Sequence, residues 1–130
     1  MNLWTVEHIG LAARDPQMLK DWYERTLDAR LVFAMQQTPP AFLLNLGGML
    51  IEIYAAESNS DLTRNNRLAG WRHIALKVTS LEEAKTELEK RGVTFPEPVK
   101  PAGGGGRVLF FSDPEGNLLH FTERLPVGFA

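Results

Sequence analysis

Hydrophobic and polar positions along the chain fall into two similar runs of elements. Trp4 to Ala13 is apolar and rich in β-formers, and Asp15-Pro16 then supplies an N-cap followed by proline at a first helical position. Met18, Leu19, Trp22, Tyr23 and Leu27 recur at helical spacing, which predicts a helix with one apolar face. Short extended segments follow around Leu31 to Met35 and Phe42 to Leu46, then a Gly47-Gly48 turn and a strand from Met49 to Ala55. The second half runs in the same order. It has a strand from Trp71 to Val78, a capping box at Ser80 and Glu83, and a helix carrying Leu81, Ala84 and Leu88 that stops at Gly92. Extended pieces near Val99 and from Arg107 to Phe111 lead to the turn Asp113-Pro114-Glu115-Gly116-Asn117 and a last strand from Leu118 to Glu123.

Each half therefore reads as strand, helix, strand, strand, strand. Adding 65 to the numbering carries His8-Ile9 onto His73-Ile74, Leu11 onto Leu76 and Asp15 onto Ser80. Adding 68 carries Gly48-Met49-Leu50-Ile51-Glu52 onto Gly116-Asn117-Leu118-Leu119-His120. The repeat predicts one α+β domain over residues 1–130, with module one at about 1–56, a linker at about 57–69 and module two at about 70–126. Pairing of the duplicated strands into one curved sheet, with both helices outside, would let the halves share a core.

Strand parity then separates the polar residues from the core. His8 alternates with Ile9, Leu11 and Ala13, and His73 with Ile74, Leu76 and Val78. Glu52 lies between Ile51 and Ile53, and His120 between Leu119 and Phe121. All three histidines of the chain and one carboxylate thus take corresponding positions on the concave side of four strands. A single strand histidine is most often a structural residue, but four corresponding positions point to a metal site. Imidazole and carboxylate suit zinc, nickel, iron(II), manganese or cobalt, and ligand type alone does not choose among them; one ion per site is expected, with zinc or nickel put first as the working expectation.

Composition narrows the classes. The chain has 130 residues, 44% hydrophobic and 23% charged, with net charge -2 and no long run of like charge, so no footprint for nucleic acid or an anionic membrane appears. No apolar stretch approaches the ~20 residues that span a bilayer, and the first residues lack a signal-peptide pattern, so a cytoplasmic protein acting on a small molecule is expected. With no cysteine, disulfides and thiolate chemistry are excluded.

The sequence resembles the vicinal oxygen chelate superfamily, which includes glyoxalase I, methylmalonyl-CoA epimerase, extradiol dioxygenases and the fosfomycin- and bleomycin-resistance proteins. The likeness runs from Val6-Glu7-His8-Ile9-Gly10-Leu11 through Trp71-Arg72-His73-Ile74-Ala75-Leu76-Lys77-Val78 to Phe111-Ser112-Asp113-Pro114-Glu115-Gly116-Asn117-Leu118-Leu119-His120. It implies two βαβββ modules forming one cup-shaped, eight-stranded mixed sheet, with His8, Glu52, His73 and His120 at the four ligand positions. The function implied is glyoxalase-like isomerase or lyase chemistry through a metal-stabilised enolate, with Glu52 first and His120 second as proton carrier. One departure stands out: the glyoxalase pattern has a glutamate where this chain has His120. An extradiol dioxygenase is the second enzyme reading, although its pattern draws the carboxylate from the final strand. A non-enzymatic antibiotic-binding protein is the third. The resemblance also implies a homodimer, with sites made within one chain or shared between two.

Weaker signals complete the reading. Gly103-Gly104-Gly105-Gly106 fits a flexible loop better than an anion cradle or lid. Arg64, Arg67 and Arg72 read first as surface charge, with Arg67 a candidate for a substrate's acidic tail. Trp4, Phe42 and Trp71 are candidates to line the pocket, and Trp71 shares the parity of His73.

Overall fold

The computed structural model describes residues 3–59 and 62–125. The described strands and helices are β1 (Ile9–Ala13), α1 (Pro16–Leu27), β2 (Arg30–Met35), β3 (Ala41–Leu46), β4 (Met49–Ala55), β5 (His73–Lys77), α2 (Leu81–Lys90), β6 (Lys100–Pro101), β7 (Arg107–Ser112) and β8 (Leu118–Glu123). A single 3-10 turn, Leu62–Arg64, precedes β5. The chain divides into two compact units, Met1–Asn59 and Ser60–Ala130. Each holds one βαβββ module, with sheet order β1-β4-β3-β2 in the first and β5-β8-β7-β6 in the second. The first and last strands of each module pair in parallel, while the other pairings are antiparallel. These are two four-stranded mixed sheets with one helix each, as the two-module reading of the sequence requires.

In module one, Asp15 caps α1 by accepting the Met18 N–H at 3.1 Å, and Pro16 follows at the first helical position. The buried face is Pro16, Leu19, Trp22, Tyr23 and Thr26. Met18, expected on that face, is partly exposed, because the buried positions 16, 19, 22, 23 and 26 centre the stripe about a quarter-turn away from it. α1 covers β1, β3 and β4, over a core that includes Ala13, Leu44, Ile51 and Ile53.

Module two repeats this plan. Ser80 Oγ accepts the Glu83 N–H at 3.2 Å, and α2 buries Leu81 and Leu88 against β7 and β8. The left-handed φ of 92° at Gly92 ends the helix, with Val93 N–H returning to Leu88 O at 3.0 Å. Phe95, Phe111 and Phe121 form the aromatic part of this core, with ring centroids 5.1–6.3 Å apart. Glu123 at the end of β8 accepts the Leu81 N–H at 2.9 Å and Arg107 Nη2 at 2.8 Å, which ties β7, β8 and the start of α2 together. These partners, the backbone N–H first and Arg107 second, hold the Glu123 carboxyl below its usual range.

Three elements are shorter than the hydrophobic pattern predicts. Residues 4–8 have β-like composition, yet pairing begins only at Ile9 opposite Ile51. Leu3, Trp4 and Val6 remain about four-fifths exposed. Apolar alternation supplies strand propensity, but a strand also needs a hydrogen-bonding neighbour. For the same reason the Trp71 to Val78 stretch contributes only His73–Lys77, and β6 is a two-residue strand.

Candidate metal centre

In module one, β1 and β4 set the first donor pair. Ile51 and Ile53 are buried under α1, so Glu52 points to the other face of the sheet, and its cross-strand partner is Gly10. His8 stands two residues before Gly10. Its Nδ1 is 3.0 Å from Glu7 Oε1, and its Nε2 faces Glu52 Oε2 at 3.9 Å.

Tyr54 completes this face. A Cβ placed on Gly10 would lie 3.2 Å from Tyr54 Cε1 and 3.3 Å from its phenol oxygen, so the glycine is what lets the ring lie across β1 beside the donor pair. Sequence reasoning missed Tyr54. Its parity with Glu52 and the glycine two residues after His8 were the available signals.

In module two, Ala75 is the cross-strand partner of His120, and His73 stands two residues before Ala75. The two imidazole centroids are 4.6 Å apart. Phe110, directly across from His120 on β7, packs against both rings, with centroids 4.7 Å from His120 and 5.7 Å from His73. It too was missed, though its alternation with Leu109 and Phe111 places it on the donor face. His120 is buried, with Nδ1 3.2 Å from Phe121 O and 3.0 Å from Thr122 Oγ1. Burial is the main cause of a pKa below the usual histidine value. The backbone hydrogen bond opposes that shift, and the positive charges of His73 and Arg124 reinforce it.

His73 is held differently, by a residue with no recognisable signal in the sequence. Its Nδ1 meets Asn66 Oδ1 at 2.7 Å. The loop that presents Asn66 is braced by Asn65, whose side-chain oxygen accepts Arg67 N–H at 3.0 Å and whose carbonyl accepts Arg72 Nη1 at 3.3 Å.

The two donor pairs are register equivalents. Gly10 pairs with Glu52 and Ala75 with His120. The first members differ by 65 and the last by 68, the same offsets that the sequence repeat shows. In each module one polar residue comes from the last strand, and the other opens the first strand in module two (His73) but stands one residue before it in module one, where His8, expected within the strand, precedes the first paired residue Ile9. Among the described residues the donors stand as pairs, and no group of three or more His, Asp or Glu is preassembled. Imidazole nitrogen and carboxylate oxygen fit a divalent ion of the borderline or hard type.

Other candidates lie at varied depths. Trp71 is 93% exposed, and Arg67 is also exposed, on the Asn65-braced loop. Trp4 is exposed, while Phe42 is buried in the module-one core with Lys20 Nζ 5.5 Å from its ring centre. Arg64 lies over Gly116, whose missing side chain makes room for it. The four glycines form the turn between β6 and β7, closed by Ala102 N–H to Gly106 O at 2.9 Å and by Arg124, which donates to the carbonyls of Gly103 and Gly105.

Each module is a βαβββ unit with an imidazole-containing pair of polar side chains at equivalent register. The chain belongs to the Glyoxalase/Bleomycin resistance protein/Dioxygenase superfamily, which it matches over residues 5–121. An uncharacterised protein of Bacillus subtilis, YwkD, is 28% identical over 95% of this chain and all of its own length. Among solved structures, a glyoxalase family protein from Enterococcus faecalis is similar at 25% identity and a TM-score of 0.79, covering 95% of this chain and all of that one. The fosfomycin resistance protein FosX from Listeria monocytogenes, in a variant complexed with Mn(II) and dihydroxypropylphosphonic acid, is similar at 19% identity and a TM-score of 0.70. That alignment covers 96% of this chain and 94% of FosX. No described helix is long and apolar enough to cross a membrane.

Proposed function

We propose that the protein is a divalent-metal-dependent enzyme of isomerase or lyase type, with His8, Glu52, His73 and His120 as the metal donors. The observation that carries this reading is the shared register of the two donor pairs. Zinc and nickel stand first among the ions that imidazole and carboxylate can hold, with iron, manganese and cobalt as the others. When bound, the ion supplies Lewis-acid charge to two neighbouring oxygens of a small substrate.

Protein groups do the rest. Glu52, on the open face of β4, would leave the ion when substrate arrives, take the proton from the carbon beside those oxygens and return it to the adjacent carbon while the hydroxyl proton passes from one oxygen to the other, which completes an isomerisation without net consumption of protons. His120, buried on β8 with its pKa pushed down by that burial, is the second proton carrier. Tyr54 borders the pair of the first module with a phenol, and Phe110 borders the pair of the second with an apolar wall. Trp71 and Arg67 are exposed enough to meet a substrate tail. Cytoplasmic placement and a homodimer belong to the same reading, with each site completed within one chain or between two.

The extradiol reading is disfavoured because the carboxylate comes from β4 of the first module and the last strand of the second supplies an imidazole. Metal content of tag-free protein after incubation with zinc, nickel, manganese and iron(II), repeated on His73→Ala, is the primary test. Failure of native protein to retain any stoichiometric metal ends this proposal, and tight binding of a planar aromatic drug by metal-free protein would favour the binding-protein reading instead. With metal present, turnover of a methylglyoxal–glutathione adduct, a catechol or fosfomycin separates isomerase, oxygenase and resistance chemistry.

A further inference from the structure

All three histidines meet an oxygen through the same ring atom. Nδ1 of His8 lies 3.0 Å from Glu7 Oε1, Nδ1 of His73 lies 2.7 Å from Asn66 Oδ1, and Nδ1 of His120 lies 3.2 Å from Phe121 O. A carboxylate, an amide oxygen and a backbone carbonyl can only accept. A neutral imidazole facing any of them keeps its proton on Nδ1 and leaves the lone pair on Nε2. Neutral imidazole in water prefers the opposite tautomer, so each ring is held against its solution preference. For His8 the competing arrangement, Nε2–H toward Glu52, would span 3.9 Å, too long for a hydrogen bond.

We propose that Glu7 and Asn66 are positioning residues, which fix His8 and His73 as Nδ1–H tautomers and so turn an Nε2 lone pair toward the donor face. The purpose of this arrangement rests on the metal reading above, whereas its geometry does not. Second partners of this kind orient metal-binding imidazoles and raise their basicity, and their loss weakens metal binding by about 10–100-fold. His120 is held from within its own strand, by the Phe121 carbonyl at 3.2 Å and by the Thr122 hydroxyl at 3.0 Å, which can accept from a protonated Nδ1. Asn66 adds a link to the chain between the modules: Asn65 braces the loop, the loop presents Asn66, and Asn66 sets the ring of His73.

Nitrogen-15 NMR of metal-free protein, at a pH above the histidine titrations, reads the tautomer of each ring directly. All three rings are expected with a protonated Nδ1 in the native protein. Glu7→Ala should change the His8 pattern alone, Asn66→Ala the His73 pattern alone, and His120 should stay unchanged in both as an internal check on folding. Glu7→Gln and Asn66→Asp retain an accepting oxygen and should restore the native pattern. Zinc affinity by chelator competition should fall roughly 10–100-fold in the two alanine variants and recover in the conservative ones. Native His8 or His73 carrying its proton on Nε2, or ring patterns indifferent to the alanine substitutions, would overturn the inference. Native tautomers as expected in a protein that retains no zinc would uphold the positioning role and remove the metal reading.

Discussion

Gly106 allows a decisive test of how β8, the strand that carries His120, is held. It sits at φ 98°, a conformation that costs a residue with a side chain about 1–3 kcal/mol. A Cβ there would also run into the carbonyl oxygen of Glu123, which is backbone and cannot swing aside. Forcing that contact adds overpacking of about 1–3 kcal/mol. Gly106→Ala is therefore expected to lose roughly 2–6 kcal/mol of stability, which at about 4 °C per kcal/mol lowers the melting temperature by roughly 8–24 °C. Gly103 is the matched control from the same run, since a Cβ on it meets nothing within 4 Å and its φ is not left-handed. Gly103→Ala should stay within about 0.5 kcal/mol of the native protein. Thermal and urea unfolding of the two variants side by side gives the answer. Equal stabilities within about 0.5 kcal/mol would refute the claim that this glycine is required by the approach of β8.

Three further outcomes are expected. Asp113, buried in the turn before β8, accepts the backbone N–H groups of Glu115 at 2.9 Å and Asn117 at 3.0 Å and the Asn117 side chain at 2.8 Å, so Asp113→Ala should cost about 2–4 kcal/mol in urea unfolding. Glu123 has a folded pKa below its ordinary 4.5, so its stabilising contribution is complete above that value and is lost as pH falls through the lower folded value. Stability measured against pH should accordingly decline less steeply in acid for Glu123→Gln than for the native protein. Gly10→Val should push the Tyr54 ring off β1, moving its NMR resonances toward solvent-exposed positions at a cost of about 1–3 kcal/mol, and an unmoved ring would contradict the packing described.

Much of the architecture was legible because it rests on local rules. Asp15-Pro16, Ser80 and Gly92 mark helix ends through hydrogen bonds or φ values made within a few residues, and the structure places them as expected. Parity put Glu52 and His120 opposite their buried neighbours because side chains in any strand alternate. What alternation cannot show is where pairing stops, hence the unpaired residues ahead of Ile9. Nor can it show a side chain reaching sideways. Tyr54 crosses to Gly10 on a neighbouring strand, and Asn66 reaches His73 from an irregular loop, through contacts set by the fold.

The unequal offsets of the repeat record where the chain tolerates a change of length. Between the modules the numbering gap is 65 at Gly10 and Ala75, 67 at Leu43 and Phe110, and 68 at Glu52 and His120. Two of the three additional residues of module two thus fall between its first and third strands, and the last falls in the turn before β8. None falls inside a strand that carries a donor. A single residue inserted there would rotate every later side chain to the opposite face and send the histidine or glutamate into the core, whereas a longer turn leaves its direction unchanged. Insertions and deletions in these two connections are therefore the freedom left to evolution or to an engineer for reshaping the surroundings of the site without moving its donors.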